Sequence, residues 1–557
     1  MSLAFYCTHE AVPMHYFEAM QVFSHIYGLP LLVTGLQGQA FVSRYVASLG
    51  LPADTDAVLA EEVPDDAVPA EEAPAEEAGV PDKDPCGTDE KYCVPDKEPA
   101  LACKDPGLAC IEFPGVVRAF PMIAGEARKA AEEDCELVRR NPALMNDRNM
   151  LKRHLYKTLS DVYGYKSPWG VLTGVRPTKV VHKLIAQGFT EAQAEAHLRD
   201  FYCCSEGKIR LCMDTFRNQR HMLGYRGKDC GLYVAFPFCP SICSYCTFGS
   251  SPIERYRNKV DAYKELLLRE LELSAELLSG RYNVKYIYVG GGTPTAVPAN
   301  VLREVLGKVS ELFDTDSLVE YSVEAGRPDS IDAEKLEIIR NAGARRISIN
   351  PQSMNAKTLE LVGRRHTPED IVEKVKLAKS MGFANVNMDV IAGLPGETPE
   401  DFRETMKQVI GLDPEGITVH TLSLKRASQL AKNESVKTLI DVENAGRMAD
   451  LSREMTVNAG YEPFYMYRQK NCIGNNENVS YCKKGFESPY NVHIMDEDLT
   501  IVGVGAGAVT KIVSDGGAGI RRFFNAKSPD EYMRSFDVVV ARKREALGDE
   551  KDPASEF

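Results

Sequence analysis

Residues 236–248 read FPFCPSICSYCTF. Cys239, Cys243 and Cys246 stand at Cys-x3-Cys-x2-Cys spacing, directly after an apolar run, 232–236, that reads as a strand. Three thiolates on one tight loop suit three irons of a cube-shaped cluster. They leave the fourth iron without a protein ligand, open to a bidentate small molecule. Zinc asks for a fourth ligand at a paired spacing, which this loop lacks. The plainer alternatives are three structural cysteines, or zinc completed by a remote ligand.

From about 229 to 430 the chain repeats strand, glycine-containing turn and helix. The strands read at 232–236, 284–289, 318–323, 346–349, 386–391 and 418–422. Six βα repeats predict a parallel sheet that closes, or nearly closes, into a barrel. Chemistry in such sheets sits at the C-terminal ends of the strands. The cysteine loop falls at the first of these ends. VGGGTPTAV, with Gly290, Gly291, Gly292 and Thr293, falls at the second. Glycines there let backbone groups approach a ligand closely, or simply make a turn. Glu324, Gln352, Arg364 and Asp389 stand at or just beyond later strand ends. Each alone reads equally well as a helix cap or a solvated turn residue.

Taken together, these residues resemble the radical S-adenosylmethionine (SAM) superfamily, including the aromatic Tyr245 between the last two cysteines. The separations Gln352-x11-Arg364 and Arg364-x24-Asp389 resemble the subgroup of oxygen-independent coproporphyrinogen III oxidases. PWGVLTGVRPTKVVHKL (168–184), MYRQKN (466–471), GNNENVSY (474–481) and GVGAGAVTKI (503–512) are similar to its HemZ-type branch of coproporphyrinogen dehydrogenases. The similarity spans about 150–545.

This resemblance implies an α/β fold: a partial (βα)6 radical SAM barrel with a helical N-terminal accessory region and a C-terminal α/β domain. It implies one 4Fe–4S cluster on Cys239, Cys243 and Cys246, and one or two SAM molecules. The matching cofactor positions are Tyr233, Tyr245, Gly291, Gly292, Thr293, Glu324, Gln352, Arg364 and Asp389, with Ser423 and Val509 further on. The implied reaction is oxidative decarboxylation of two propionates of coproporphyrinogen III to vinyls, giving protoporphyrinogen IX in haem biosynthesis. An electron donor such as flavodoxin or ferredoxin goes with it. A tetra-anionic substrate calls for cations; the candidates are Arg176, Lys179, Arg327, Arg426 and Arg468.

Phe248 stands where the oxidases carry a fourth cysteine, and a phenylalanine there is similar to the HemW-like haem chaperones. Their Trp-containing C-terminal motif is absent, Trp169 being the sole tryptophan. A haem-binding chaperone, or a radical enzyme acting on another tetrapyrrole, therefore stays open beside the oxidase.

The organisation expected along 557 residues is a small α/β region at 1–52, a disordered acidic linker at 53–112, and a helical accessory region at 113–228. The core barrel follows at 229–430 and a C-terminal domain at 431–557. Residues 54–110 hold 17 acids against four lysines, so this window carries 13 of the 14 net negative charges and the remaining chain is at −1. Its four cysteines, Cys86, Cys93, Cys103 and Cys110, are spaced more widely than metal-binding pairs usually are; a second metal site there stays open beside plain thiols. Fifteen cysteines in so long a chain do not make a small disulfide-stapled fold. No basic footprint for nucleic acid and no apolar run of about 18 residues is visible, so no nucleic-acid partner and no membrane span are expected. The expected location is the cytoplasm.

Overall fold

The computed structural model describes residues 166–548 except 173, 175, 426, 427, 470, 471 and 518, together with Arg153, Tyr156, Ser160 and five short strands before residue 122. The chain divides into two compact units, Met1–Ser167 and Pro168–Phe557.

In the first unit, β1 (Leu3–Cys7), β2 (Leu31–Gly35), β3 (Ala40–Val42), β4 (Leu108–Phe113) and β5 (Val116–Pro121) form one sheet in the order β3-β2-β1-β5-β4. β4 and β5 run antiparallel, Phe113 pairing with Val116. This corrects two expectations. β4 begins inside the stretch read as disordered, and β5 lies in the stretch read as helical. The runs ACIEF and VVRAF are rich in β-branched and aromatic residues, and that local preference outweighs the composition around them. The helix expected at 15–27, the acidic stretch before β4, and most of the helices expected at 124–140 and 148–163 lie outside the described residues.

The second unit opens with helices Pro177–Ala186, Glu191–Asp200 and Glu206–Gln219. Its strands are β6 (Asp229–Phe236), β7 (Phe238–Cys239), β8 (Ser251–Pro252), β9 (Asn283–Gly291), β10 (Glu320–Glu324), β11 (Arg346–Ser348), β12 (Asn385–Ala392), β13 (Gly416–Thr421), β14 (Glu462–Arg468), β15 (Glu477–Cys482), β16 (Thr500–Val504), β17 (Val509–Ser514) and β18 (Gly519–Phe524). All but β7 and β8 join one eleven-stranded sheet, ordered β14-β15-β13-β12-β11-β10-β9-β6-β16-β17-β18. The six expected barrel strands, β6 and β9 to β13, are consecutive neighbours and all parallel. β16 adds a seventh parallel strand beside β6, and the remaining four pair antiparallel at the flanks. β14 and β18 are the two edges, so the barrel is open. The strands after residue 431 extend the barrel's own sheet.

Local sequence sets the crossovers. Thr-Pro-Glu-Asp occurs at 367–370 and again at 398–401, and each copy starts a helix. In both, the threonine and the aspartate three residues on cap each other's backbone N–H, and proline fills the first turn. Helix Ala299–Leu312 buries Val301, Leu302, Val305, Leu306 and Val309, a stripe at three- and four-residue spacing laid on the sheet.

The strands alternate faces. Leu232, Val234, Ile287, Val289, Val323, Ile347, Val386, Met388, Ile417 and Val419 point into the core under the helices. Tyr233, Tyr288, Glu324, Arg346, Ser348, Asn387, Asp389, Thr418 and His420 point the other way and line a cavity. The inside of the barrel is polar and aromatic.

Candidate active site

The cysteine loop closes on itself and on its neighbours. β7 pairs with β8, and Ser251 N–H donates to Pro237 O at 2.8 Å. Cys246 N–H donates to Cys243 O at 3.0 Å, and Ser244 N–H to Val362 O at 3.0 Å. Cys243 is buried; Cys239 and Cys246 are half-buried. All three border one cavity of about 470 Å3. Burial pushes the Cys246 thiol up to about 11 and moves Cys239 upward too. Such thiols stay protonated until a metal ion displaces the proton.

The glycine loop is strapped to this one. Gly292 N–H donates to Phe236 O and Thr293 N–H to Phe238 O, both at 2.7 Å. A Cβ on Gly292 would sit 2.5 Å from Phe238 O, and Gly291, at φ +106°, faces Phe236 O at 2.9 Å. These glycines are therefore required by loop-to-loop packing, whatever ligand they also admit. The Thr293 hydroxyl lies 3.4 Å from the Cys239 sulfur.

Around the rim, Glu324 ends β10 and accepts from the Tyr288 hydroxyl at 2.6 Å. Burial raises its carboxyl to about 7. Asp389 accepts from Asn350 Nδ2 at 2.8 Å and Asn387 Nδ2 at 2.7 Å. Burial acts to raise it, but His420 beside it and the Asn387 hydrogen bond hold it below the usual carboxylate range. Arg364 donates to Gly326 O at 3.0 Å, Asn350 O at 2.5 Å and the Tyr245 hydroxyl at 3.4 Å. Gln352 adopts φ +66°, its N–H donates to Asp389 O at 2.9 Å, and its buried Oε1 takes no hydrogen bond.

The cavity gathers Tyr233, the three cysteines, Tyr245, Gly291, Gly292, Thr293, Glu324, Gln352, Arg364, Asp389 and Ser423. Val509 does not join them: it opens β17 opposite Phe524, away from the cavity wall. Of the expected substrate cations, Arg327 lines the cavity but is bound to Asp329 and the cysteine loop. Arg176 is paired with Glu497, and Lys179 donates to Asp496 O at 3.1 Å. Arg468 lies 5.3 Å over the Trp169 ring and donates to Leu172 O. These three stand outside the cavity wall, and Arg426 lies outside the described residues.

Sequence reasoning missed the rest of the wall. Tyr288 stacks on Tyr490 at 4.7 Å and on Tyr233 at 6.2 Å; Tyr465 and Tyr467 stack at 6.3 Å. Asn350, Asn387, His420 and Arg346 complete it. The available signal was the two-residue period inside the strands: Asn387 and Asp389 share a face, as do Thr418 and His420.

A Radical SAM superfamily profile matches residues 233–409. The oxygen-independent coproporphyrinogen-III oxidase-like protein HemZ of Bacillus subtilis is 39% identical over 405 residues, covering 70% of this chain and 81% of that protein. The chain belongs to the HemZ family of radical SAM proteins. The haem chaperone HemW of the same organism is 30% identical over 277 residues, covering 50% of this chain and 69% of that one. The solved structure of coproporphyrinogen III oxidase HemN from Escherichia coli is 23% identical, covers 58% of this chain and 72% of that chain, and superposes with a TM-score of 0.46.

As a radical SAM protein, the HemZ-family chain takes a 4Fe–4S cluster and SAM. Its residues fit both. Among the described residues no three His, Cys, Asp or Glu side chains converge as ligands of one ion; a cube takes each thiolate on a different iron. The buried, partnerless Gln352 Oε1 and the polar rim from Glu324 to Asp389 suit an amino-acid and nucleoside ligand. No helix among the described residues is long and apolar enough to cross a membrane.

Proposed function

We propose that this chain is an oxygen-independent coproporphyrinogen III oxidase, converting two propionates to vinyls in haem biosynthesis. The observation that carries it is one cavity, about 470 Å3, joining the cluster cysteines, the cofactor-matching residues and a wall of stacked tyrosines. Such a wall suits a flat macrocycle. The HemZ relative, at 39% identity, supports the same reading.

When bound, the cluster and SAM supply a 5′-deoxyadenosyl radical that removes one hydrogen atom from the propionate β-carbon. Breaking the bond to the carboxylate would then release CO2 and leave the vinyl double bond, with the one remaining electron taken up by a one-electron acceptor such as the oxidised form of an electron-carrier protein. The chain's own part is placement. Cys239, Cys243 and Cys246 hold the cluster at the cavity's end. Glu324, Gln352, Arg364, Asp389 and Ser423 hold SAM by its polar groups. The tyrosine wall keeps water from the reacting carbon. A flavodoxin or ferredoxin in the cytoplasm serves as electron donor.

Phe248 favours a second reading. It borders the cavity mouth at 75% exposure, in the place of a fourth cysteine, which suits a haem carrier. Anaerobic turnover separates the two. The cluster-loaded chain, with SAM, reductant and coproporphyrinogen III, is expected to release a product lacking two carboxyl groups, and Cys243→Ala abolishes it. Intact porphyrinogen beside stoichiometric haem binding would overturn the oxidase.

A further inference from the structure

Arg346, at the start of β11, is 4% exposed and lines the cavity. Its guanidinium carries five N–H donors. Among the described residues none accepts a hydrogen bond from it, and no carboxylate pairs with it. The carboxylates whose charge reaches it are Glu320, Asp389 and Glu324. None of them accepts a hydrogen bond from it. Glu320 accepts from the Ser322 hydroxyl at 2.6 Å, the Ser488 hydroxyl at 2.7 Å and Tyr490 N–H at 2.8 Å. Asp389 is taken by Asn350 and Asn387. Glu324 accepts from the Tyr288 hydroxyl. The three carboxylates balance the charge of the guanidinium without bonding to it, so its N–H groups border the cavity without an acceptor, and a buried donor left unpaired is costly. The Tyr490 hydroxyl, in the same cavity wall, is also buried without a partner.

The position fits a large ligand. Arg346 stands four residues before Asn350, which contacts Asp389 and Arg364 at the cofactor end. In β11 Ser348 pairs with Glu324 and Arg346 with Ser322, so the Arg346 backbone lies two residues, about 7 Å, deeper in the barrel than Glu324. A ligand that meets both levels carries a carboxylate away from its reacting group.

We propose that Arg346 anchors a non-reacting carboxylate of the substrate, and so selects which propionate lies at the cofactor. This rests on the tetrapyrrole reading above. An arginine fork binds a carboxylate through two parallel hydrogen bonds, which fixes orientation as well as affinity.

The test is equilibrium binding to the cluster-loaded full chain with SAM present. The probes are coproporphyrin III, followed by its fluorescence, and its tetramethyl ester. Wild type is expected to bind the free acid at least tenfold tighter than the ester. Arg346→Gln loses that preference, and Arg346→Lys recovers part of it. Circular dichroism and iron content report that each variant is folded. Equal affinity of wild type for acid and ester overturns the anchor even if Arg346→Gln does not fold. So does an unchanged acid affinity in a folded Arg346→Gln. Wild type that binds neither porphyrin overturns the tetrapyrrole reading, and the anchor with it.

Discussion

Arg327 Nη1 donates to the Cys243 sulfur across 3.4 Å, while Asp329 holds the same guanidinium at 2.8 and 2.9 Å. Its other bonds reach Ser241 O at 3.1 Å and Ser241 Oγ at 3.0 Å, so one buried cation ties strand end to cysteine loop. A positive charge beside a ligating sulfur stabilises the more negative, reduced cluster. Arg327→Met is expected to shift the cluster's reduction potential to more negative values at unchanged iron content. Paramagnetic resonance during an anaerobic redox titration reads this directly. An unchanged potential would show that the guanidinium serves the loop alone.

Glu324 gives the site a pH dependence. Burial raises its carboxyl to about 7, so it is largely protonated at pH 6 and ionised at pH 8. On the proposed role of Glu324 in holding SAM, its ionised form is the one that accepts from the amino N–H groups of the cofactor. SAM affinity is therefore expected to rise with pH through about 7, by up to about tenfold per unit on the acid side. Glu324→Gln flattens the profile and weakens binding at pH 8. For the ligand-free fold the sign is opposite: the raised group contributes stability below its unfolded value, and that contribution is lost as pH rises through about 7. Calorimetric titration of SAM at several pH values checks the first statement; a flat wild-type profile counts against it.

The stretches PWGV and GNNENVSY meet at Glu477, which is not part of the cavity wall, next to Asn478, which is. Trp169 Nε1 and Lys208 Nζ both donate to the Glu477 carboxylate at 2.7 Å, and the Lys208 and Glu477 side chains are buried. Among the described residues Lys208 otherwise reaches only the exposed Asp450, at 2.9 Å. Glu477→Gln leaves a buried ammonium poorly matched and is expected to cost about 3 kcal/mol. The urea midpoint falls, while iron loading below the transition is kept. Loss of iron at full folding would place this junction in the site instead.

Gly292 has no room for a side chain, with Phe238 O 2.5 Å from where a Cβ would stand. Gly292→Ala is expected to part the glycine and cysteine loops and to cut reconstituted iron by more than half, at near-normal secondary structure. Iron content by colorimetric assay measures it, and full loading would contradict the strapping described above.

The barrel was legible because its signals are local. The six strands of the repeat stand out as short runs, most of them apolar, spaced by turns and amphipathic helices, and the cysteine loop declares itself by spacing alone; β16, parallel but distant in sequence, does not. The cavity wall was less so. Arg346, Tyr288 and Asn387 sit inside strands that read as apolar, and only the two-residue alternation marks them as inward-facing. Tyr465 and Tyr467 arrive on β14, an antiparallel strand that reaches the barrel through pairing with β15, a contact between separate regions of chain. Matching position also fails to fix side-chain direction: Val509 keeps its place in the sequence pattern but sits on β17, outside the cavity wall. Arg176, Lys179 and Arg468 are substrate-facing candidates in the sequence, yet each makes a fold contact of its own, as any cation of such a stretch can.

The central claim is hydrogen abstraction from a propionate held in this cavity. Coproporphyrinogen III deuterated at the propionate β-carbons, incubated anaerobically with the cluster-loaded chain, SAM and reductant, tests it in one mass spectrum. Deuterium is expected in the recovered 5′-deoxyadenosine, in step with loss of carboxyl groups from the porphyrinogen. Unlabelled 5′-deoxyadenosine beside intact porphyrinogen would contradict it.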